Sequence, residues 1–493
     1  MIRVEDMPRG HAAISLWPLV AVMLGSLVAG CTTNVVTGKS QLAPLMSASD
    51  EAAAGASEHP KIVASYGGVY DDPAVGAYVA NVTRRITRVT QAPDQPYRVT
   101  VLNSDIVNAF ALPGGYVYVT RGLLALVDDE AELAGVLGHE IGHVIARHGA
   151  QRQTAALGAS VIGAVLGAVV GNAVASQAVG LGSQGLIASY SRDQEYEADT
   201  LGVRYLAAAG YDPYAQGDFL AAMDVNAQAQ ATIAGKGDEA RADWLSSHPA
   251  TPERVAAARR EALASGVARG TGERNRAELF KAIDGMIYGS APEQGLVRGQ
   301  SFIHPVGRFR FDVPSGYHIT NGTDEVTVEG AQKAIAKFDV GKKSASVGID
   351  QYLSQVWAVN VRLSPVTTFT VNGLNAARAT TQIGEYAAML VAIEAPQGKV
   401  YRFLMGVPQG SPARIGTELY SIAQSFRLIS AAEAASVKPM RLRIVTVGPR
   451  DTMETLAARM PFADYKLERF RALNGIPAGV ALHAGQMVKI IIR

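Results

Sequence analysis

Apolar and polar positions alternate along this chain with two different periods. "DPAVGAYVANVTRRITRVT" (residues 72–90) repeats its apolar residues at helical spacing, whereas "YRVTVLN" (97–103) alternates as a strand does. "LPGGYVYVTRGLL" (112–124) predicts a Gly-Gly turn, a strand at Tyr116–Thr120 and then a helix. Asp129 followed three residues later by Glu132 has the form of a capping box, and Gly149 suits the position just past a helix end. A helix of roughly 130–148 is therefore expected, and a second long helical pattern covers 190–209.

The pattern changes near residue 296. "GRFRFDVPSGYHI" and "FTVNGLNAARATTQ" alternate around turn residues, "YAAMLVAIEA" and "VYRFLMGV" read as strands, and Ser411-Pro412 opens an amphipathic helix to about Phe426. This is a compact α+β domain in which His304 and His318 stand alone and read as structural. An Ala/Ser-rich linker (430–438) leads to a last unit, residues 440–493.

Composition narrows the class. In 493 residues, Lys+Arg 45 nearly balance Asp+Glu 44, so nothing attracts nucleic acid. The single cysteine, Cys31, excludes an intramolecular disulfide. Residues 12–30, "AAISLWPLVAVMLGSLVAG", form an uncharged apolar run behind Arg3 and Arg9, the layout of a secretory signal. "LVAGC" resembles the bacterial lipobox, whose cysteine is lipidated and becomes the mature N-terminus; Thr32 after it favours the outer membrane. Residues 32–58 read as a polar tether. The almost uncharged run at 155–188 reads as a helix and mobile loop over the active site, touching lipid, in preference to a true span.

The chemistry concentrates in "GHEIGHVIARHG" (138–149). His139 and His143, four apart, share one helical face, and neutral imidazoles there suit one zinc ion with Glu140 beside it. Zinc then needs a third protein ligand and an open position for water. In "SRDQEYEADTLGVRYL" (191–206), Glu195 and Asp199 again share a face, whereas Glu197 lies about 200° round the helix and points away. Asp199 suits acceptance of the N–H of a ligating imidazole, which fixes its tautomer.

HEIGH, the later EYEAD and "SSHPATPERV" (246–255) together resemble the gluzincin metallopeptidases of the CAAX prenyl protease and its bacterial periplasmic lipoprotein relatives. "NAFALPGGYVYVTRGLL" (108–124) and "HPKIVASYGGVYDDP" (59–73) add to the likeness, which covers roughly residues 40–286. The resemblance implies His139, His143 and Glu195 as zinc ligands, Glu140 as general base, Asp199 as their supporting carboxylate and His248 as an active-site histidine. His248, on a loop before an expected helix start at Thr251-Pro252, suits two roles: donor to the oxyanion, or a plug in zinc's fourth position. The strand bearing Tyr116, Val117, Tyr118 and Val119 is expected to offer an open edge to an extended peptide. Unlike the prenyl protease, the chain lacks a set of obvious transmembrane helices, which argues against a CAAX substrate.

Residues 440–493 resemble a degenerate LysM module, with strand, two helices and strand, and with Asp451, Thr452 and Asn474 in place. Such modules bind N-acetylglucosamine-containing glycans, which implies peptidoglycan as a partner, with protein contacts as the other reading. The expected architecture is α+β and multidomain. It comprises a lipoprotein signal (1–31), a mainly helical zinc metallopeptidase domain with a small sheet (32–290), an α+β domain (296–428) and a LysM-like βααβ module (440–493). The expected function is zinc-dependent cleavage of misfolded or misassembled envelope proteins at the periplasmic side of the outer membrane, with the outer-membrane assembly machinery as a further partner. A chaperone-like assembly factor with a largely inactive zinc site is the alternative.

Overall fold

The computed structural model describes residues 31–33, 38, 40–42, 47–152, 154, 190–234, 248–249, 251–322 and 325–493. The apolar run before Cys31, the uncharged run at 155–188 and most of the segment leading to His248 lie outside them. Cys31 opens β1 (Cys31–Thr33), which pairs antiparallel with β2 (Ser40–Leu42). Among the described residues, no helix is long and apolar enough to cross a membrane.

The expected tether is helical from residue 48. Helix α1 (Ala48–Ser65) starts at a capping box in which Ser47 and Asp50 satisfy each other's backbone N–H. It lies tightly on the sheet beneath: a Cβ on Gly55 would meet the Pro113 carbonyl oxygen at 2.1 Å. Helix α2 (Pro73–Thr87) buries Val75, Val79, Val82 and Ile86, the spacing that its apolar pattern predicts.

The small sheet corrects one expectation. Its strands β3 (Arg98–Leu102), β4 (Ala109–Leu112) and β5 (Tyr116–Thr120) stand in the order β3-β5-β4. The strand at Tyr116–Thr120 is therefore central and buried, with β3 parallel on one side and β4 antiparallel on the other, so it has no open edge. Among the described residues, β4 has no strand on its outer side. Thr120 N–H donates to the Asn108 carbonyl, which sets the hydrogen-bonded pairs at 108, 110 and 112 and turns the backbone groups of Ala109 and Ala111 away from β5.

A short helix α3 (Arg121–Leu126) leads into α4 (Glu130–Ile145), the HEIGH helix. Asp129 caps α4 through the N–H of Glu132, but the Glu132 carboxylate returns to the N–H of Asp128, 2.8 Å away. The helix ends three residues short of expectation, and Arg147, not Gly149, takes the left-handed position at φ 57°. Helix α5 (Arg192–Ala208) crosses α4 closely enough that Gly202 faces the backbone of His139. Helices α6 (Ala215–Ala234), α7 (Pro252–Ala264) and α8 (Arg276–Ile283) complete this layer, and β6 (Ile287–Tyr288) leaves it.

Strands β7 (Leu296–Arg298), β8 (Ser301–His304) and β9 (Phe309–Asp312) form a meander. Beside it runs a seven-stranded antiparallel sheet of β10 (His318–Asn321), β11 (Val326–Glu329), β12 (Ile335–Lys342), β13 (Thr367–Val371), β14 (Leu374–Ile383), β15 (Tyr386–Glu394) and β16 (Lys399–Pro408), in the order β10-β11-β12-β16-β15-β14-β13. Asn372 and Gly373, both at positive φ, make the β13–β14 turn. Helix α9 (Ala413–Ser425) covers one face through Ile415, Leu419 and Ile422, and β17 (Arg427–Leu428) pairs with β9. The Ala/Ser-rich linker carries a helical turn, α10 (Ala431–Ser436).

The last unit is β18 (Met440–Thr446), α11 (Met453–Ala458), α12 (Lys466–Leu473) and β19 (Met487–Ile492), the expected βααβ order. It does not stand apart. Strand β18 pairs with β6 as well as β19, and Leu442, Leu456, Phe470, Val488 and Ile490 share one apolar core with Leu133, Leu279 and Phe280. At the junction Lys489 is fully buried. Its ammonium donates to the carbonyls of Leu126 (2.8 Å) and Val127 (2.9 Å) and pairs with Asp128 at 3.0 Å. Burial pushes this lysine below its ordinary value, opposed by Asp128. Lys489→Met should destabilise the full chain by about 3 kcal/mol, because the partner carboxylate and two helix-end carbonyls lose their donor. Denaturant unfolding of the two proteins checks this, and equal midpoints would contradict it.

Candidate metal centre

Four buried side chains from three elements converge: His139 and His143 from α4, Glu195 from α5 and His248 from the turn before α7. One ligand atom from each lies within 4.8 Å of all the others. The Nε2 atoms of His139 and His143 stand 3.1 Å apart, and the Glu195 carboxylate lies 3.6 Å and 3.5 Å from them. These spacings are what one tetrahedral ion with about 2.0–2.2 Å bonds requires.

The hydrogen bonds behind the ligands fix which nitrogen is free. His139 Nδ1 lies 2.9 Å from Asp199 Oδ1, so its proton sits there and its Nε2 lone pair faces inward. Asp199 in turn receives Arg254 Nε at 2.7 Å, Arg254 Nη2 at 2.9 Å and Gln216 Nε2 at 3.0 Å. Burial would raise this carboxyl, but Arg254 and the His139 N–H outweigh it and hold Asp199 well below the usual carboxylate range. Burial pushes His143 well below the ordinary imidazole range, aided by His139 and His148, so it is neutral. Two inward lone pairs at 3.1 Å repel unless a cation lies between them.

Glu140 is fully buried, and neither of its carboxylate oxygens has a hydrogen-bond partner among the described residues. Its nearest basic atom is His248 Nε2 at 3.7 Å. Burial raises its pKa above the ordinary glutamate value. An orphaned carboxylate beside a three-donor site fits a metal-bound water as its missing partner. His248 stands inside the cluster, with Nδ1 2.9 Å from Glu195 Oε1 and 3.3 Å from His139 Nε2. Burial lowers its pKa, but Glu195 and Glu140 outweigh that and hold it above the ordinary value.

The structure thus gathers Glu140, His139, His143, Glu195, Asp199 and His248. It leaves Tyr116, Val117, Tyr118 and Val119 inside the sheet; Tyr118 instead holds His59 of α1 at 2.8 Å. Ala111 and Leu112 of edge strand β4, not β5, line a narrow cleft with His143 and Tyr190. The side chain of Cys31 lies outside what is described.

Sequence reasoning passes over three neighbours. Arg254 donates to Asp199, to Glu195 at 2.9 Å and to the Pro249 carbonyl at 2.9 Å. A clue exists in its place in the first turn of α7, where a cation opposes the helix dipole unless an acid is near. Tyr190 stacks on His143 at 3.9 Å between ring centroids, and His148 touches the same ring from its edge. Neither has a local signature. The donors fit zinc, and metal analysis should find one zinc per chain, with near-complete loss in His143→Ala; a full equivalent retained by that variant would refute the ligand set.

Comparison with known proteins agrees with this geometry. Residues 73–262 match peptidase family M48 and residues 445–490 match the LysM domain. The chain is 37% identical over 158 residues to the mitochondrial metalloendopeptidase OMA1 of Arabidopsis thaliana, covering 32% of this chain and 30% of that protein. It is 31% identical over 201 residues to the beta-barrel assembly-enhancing protease of Yersinia pestis, covering 39% of this chain and 40% of that protein. The protein of that name from Escherichia coli (strain K12) is 30% identical over 202 residues, with 39% and 40% covered. The matches therefore span less than half the length of these curated relatives. The HEIGH helix, the EYEAD helix and the turn that carries His248 all lie within the residues that match the zinc-dependent peptidase family M48, and the residues that match a LysM domain follow them.

Proposed function

We propose that this chain is a zinc-dependent endopeptidase of the bacterial envelope, cleaving unfolded or misassembled envelope proteins at the periplasmic side of the outer membrane, with Cys31 as its lipid anchor. The observation that carries the catalytic part is the orphaned, buried Glu140 carboxylate beside the His139, His143 and Glu195 donors. Bound zinc supplies a lowered pKa for water and polarises the scissile carbonyl. Glu140 accepts the proton of the attacking water and delivers it to the leaving nitrogen; its raised pKa suits a group that must hold that proton and release it. Asp199 and Arg254 keep His139 in the tautomer that leaves Nε2 unprotonated.

The outer side of β4, which has no strand beside it among the described residues, suits an extended peptide. Ala109 and Ala111 turn their backbone N–H and C=O away from β5, and Ala111 lines the cleft beside His143, a position suited to main-chain pairing that tolerates many sequences. That tolerance is what a protease of unfolded substrates needs. The LysM domain supports peptidoglycan as a second partner, which would hold the peptidase between the cell wall and the outer membrane. Relatives named for β-barrel assembly support the outer-membrane assembly machinery as a further partner.

The position of His248 favours a second reading. With its Nδ1 among the donors, the site resembles a closed four-ligand centre more than an open three-ligand one, as in an assembly factor whose cleavage is held shut. Glu140→Gln separates the two, since it spares every donor. Cleavage of unfolded protein should fall by at least about 100-fold with zinc retained, and envelope proteins should accumulate in cells that carry the variant. Full function in those cells would support the assembly-factor reading. His248→Ala reports the resting state: higher basal cleavage marks the histidine as a plug, and lower turnover marks it as an oxyanion donor. Wild-type kinetics together with an unaltered cobalt-protein spectrum would reject both roles.

A further inference from the structure

The two α4 histidines are supported differently. Behind His139 stands a carboxylate, Asp199, the usual partner of a ligating imidazole. Behind His143 stands another imidazole: His148 Nδ1 lies 2.8 Å from His143 Nδ1, with only 1% of His148 exposed. His148 Nε2 in turn lies 3.8 Å from the carboxylate of Glu197.

We propose that His148, backed by Glu197, is the positioning residue of His143, accepting its Nδ1 proton and so leaving the Nε2 lone pair free for the metal. Proton accounting requires this direction. Two imidazole nitrogens at 2.8 Å share one hydrogen, so one donates and the other accepts. His143 Nε2 faces His139 Nε2 and Glu195, where a proton would displace the ion, so the single proton of neutral His143 is on Nδ1. His148 Nδ1 is then the acceptor, and the proton of His148 sits on Nε2, on the side of Glu197. This inference rests on the zinc-peptidase reading and deepens it.

The backbone shows that the contact is built. Residues five apart on a continuous helix point about 140° from one another, so His148 could not meet His143 if α4 simply ran on. The helix stops, and Arg147 adopts a left-handed conformation that non-glycine residues rarely take. An ion pair between the Arg147 guanidinium and Glu51 of α1 holds it there. Only this turn brings His148 back under His143, and it does so beside Glu197, which leaves α5 on a different face from ligand Glu195.

Two substitutions of the full-length chain separate the acceptor from the space that it fills. His148→Leu fills the volume and accepts nothing, whereas His148→Asn offers a carbonyl oxygen to the same proton. Zinc affinity by competition with a chromophoric chelator should fall about 10–100-fold in His148→Leu and stay near wild type in His148→Asn. Glu197→Gln should shift affinity in the same direction by less, and the cobalt-protein spectrum should change in His148→Leu alone of the two His148 variants. Thermal unfolding of the metal-free variants distinguishes a lost ligand orientation from a lost fold. Equal zinc affinities for His148→Leu and His148→Asn overturn the proposal while the metal centre stands. A wild-type chain that binds no zinc overturns the zinc-peptidase reading itself, and the proposal with it.

Discussion

The guanidinium of Arg254 is what allows so many ionisable groups to be buried together. Asp199, Glu195 and Glu140 lie within one water-excluded volume with His139, His143 and His248. Three carboxylates there would each take up a proton, because desolvation of an unpaired charge costs several kcal/mol. Arg254 answers two of them directly, with three short contacts from one planar fork, and fixes the Pro249 carbonyl beside His248 with the same Nη1 atom that meets Glu195. Glu140 is left without such a partner, and the three carboxyls part accordingly: Asp199 and Glu195 are held below the ordinary carboxylate range, whereas burial holds Glu140 above it.

The LysM domain enters the same economy of buried charge. A solvent-facing module would need only a surface; this one gives up a lysine to the interior and closes the peptidase core with its own Leu442, Phe470 and Ile490. Any contact made by its exposed loops at 448–452 and 477–480 acts on a body that is continuous with α4. The seven-stranded sheet, by contrast, packs its own core around Phe338, Phe403 and Phe426 and reaches the rest through β7–β9 and α10.

What can be read from sequence follows from how local each constraint is. HEIGH and the pair Glu195/Asp199 declare themselves because four-residue spacing settles which side chains share a face before any packing is known. The caps at Asp129 and Thr251 are likewise local, and each accepts the N–H three residues on. The order of three strands is not: the alternation in Tyr116–Thr120 is the same for a central and an edge strand, and only the pairing with residues 98–102 decides. Ala48–Glu58 looks like linker by composition, yet its small residues are what lets α1 lie close on Pro113. Arg147 takes the turn that Gly149 is better suited to because Glu51, almost a hundred residues upstream, compensates for the strain.

The contact between Lys489 and the carbonyl of Leu126 spans 363 positions of sequence. At ordinary synthesis rates of about 5–20 residues per second, the ammonium that secures the start of the HEIGH helix is made about 20–70 s after the helix itself. Through that interval the peptidase core lacks a wall, and its apolar face has nothing to close on. The order of the chain therefore acts as a timer: the helix that carries the HEIGH residues gains its last buried contact only when nearly all of the sequence has been made.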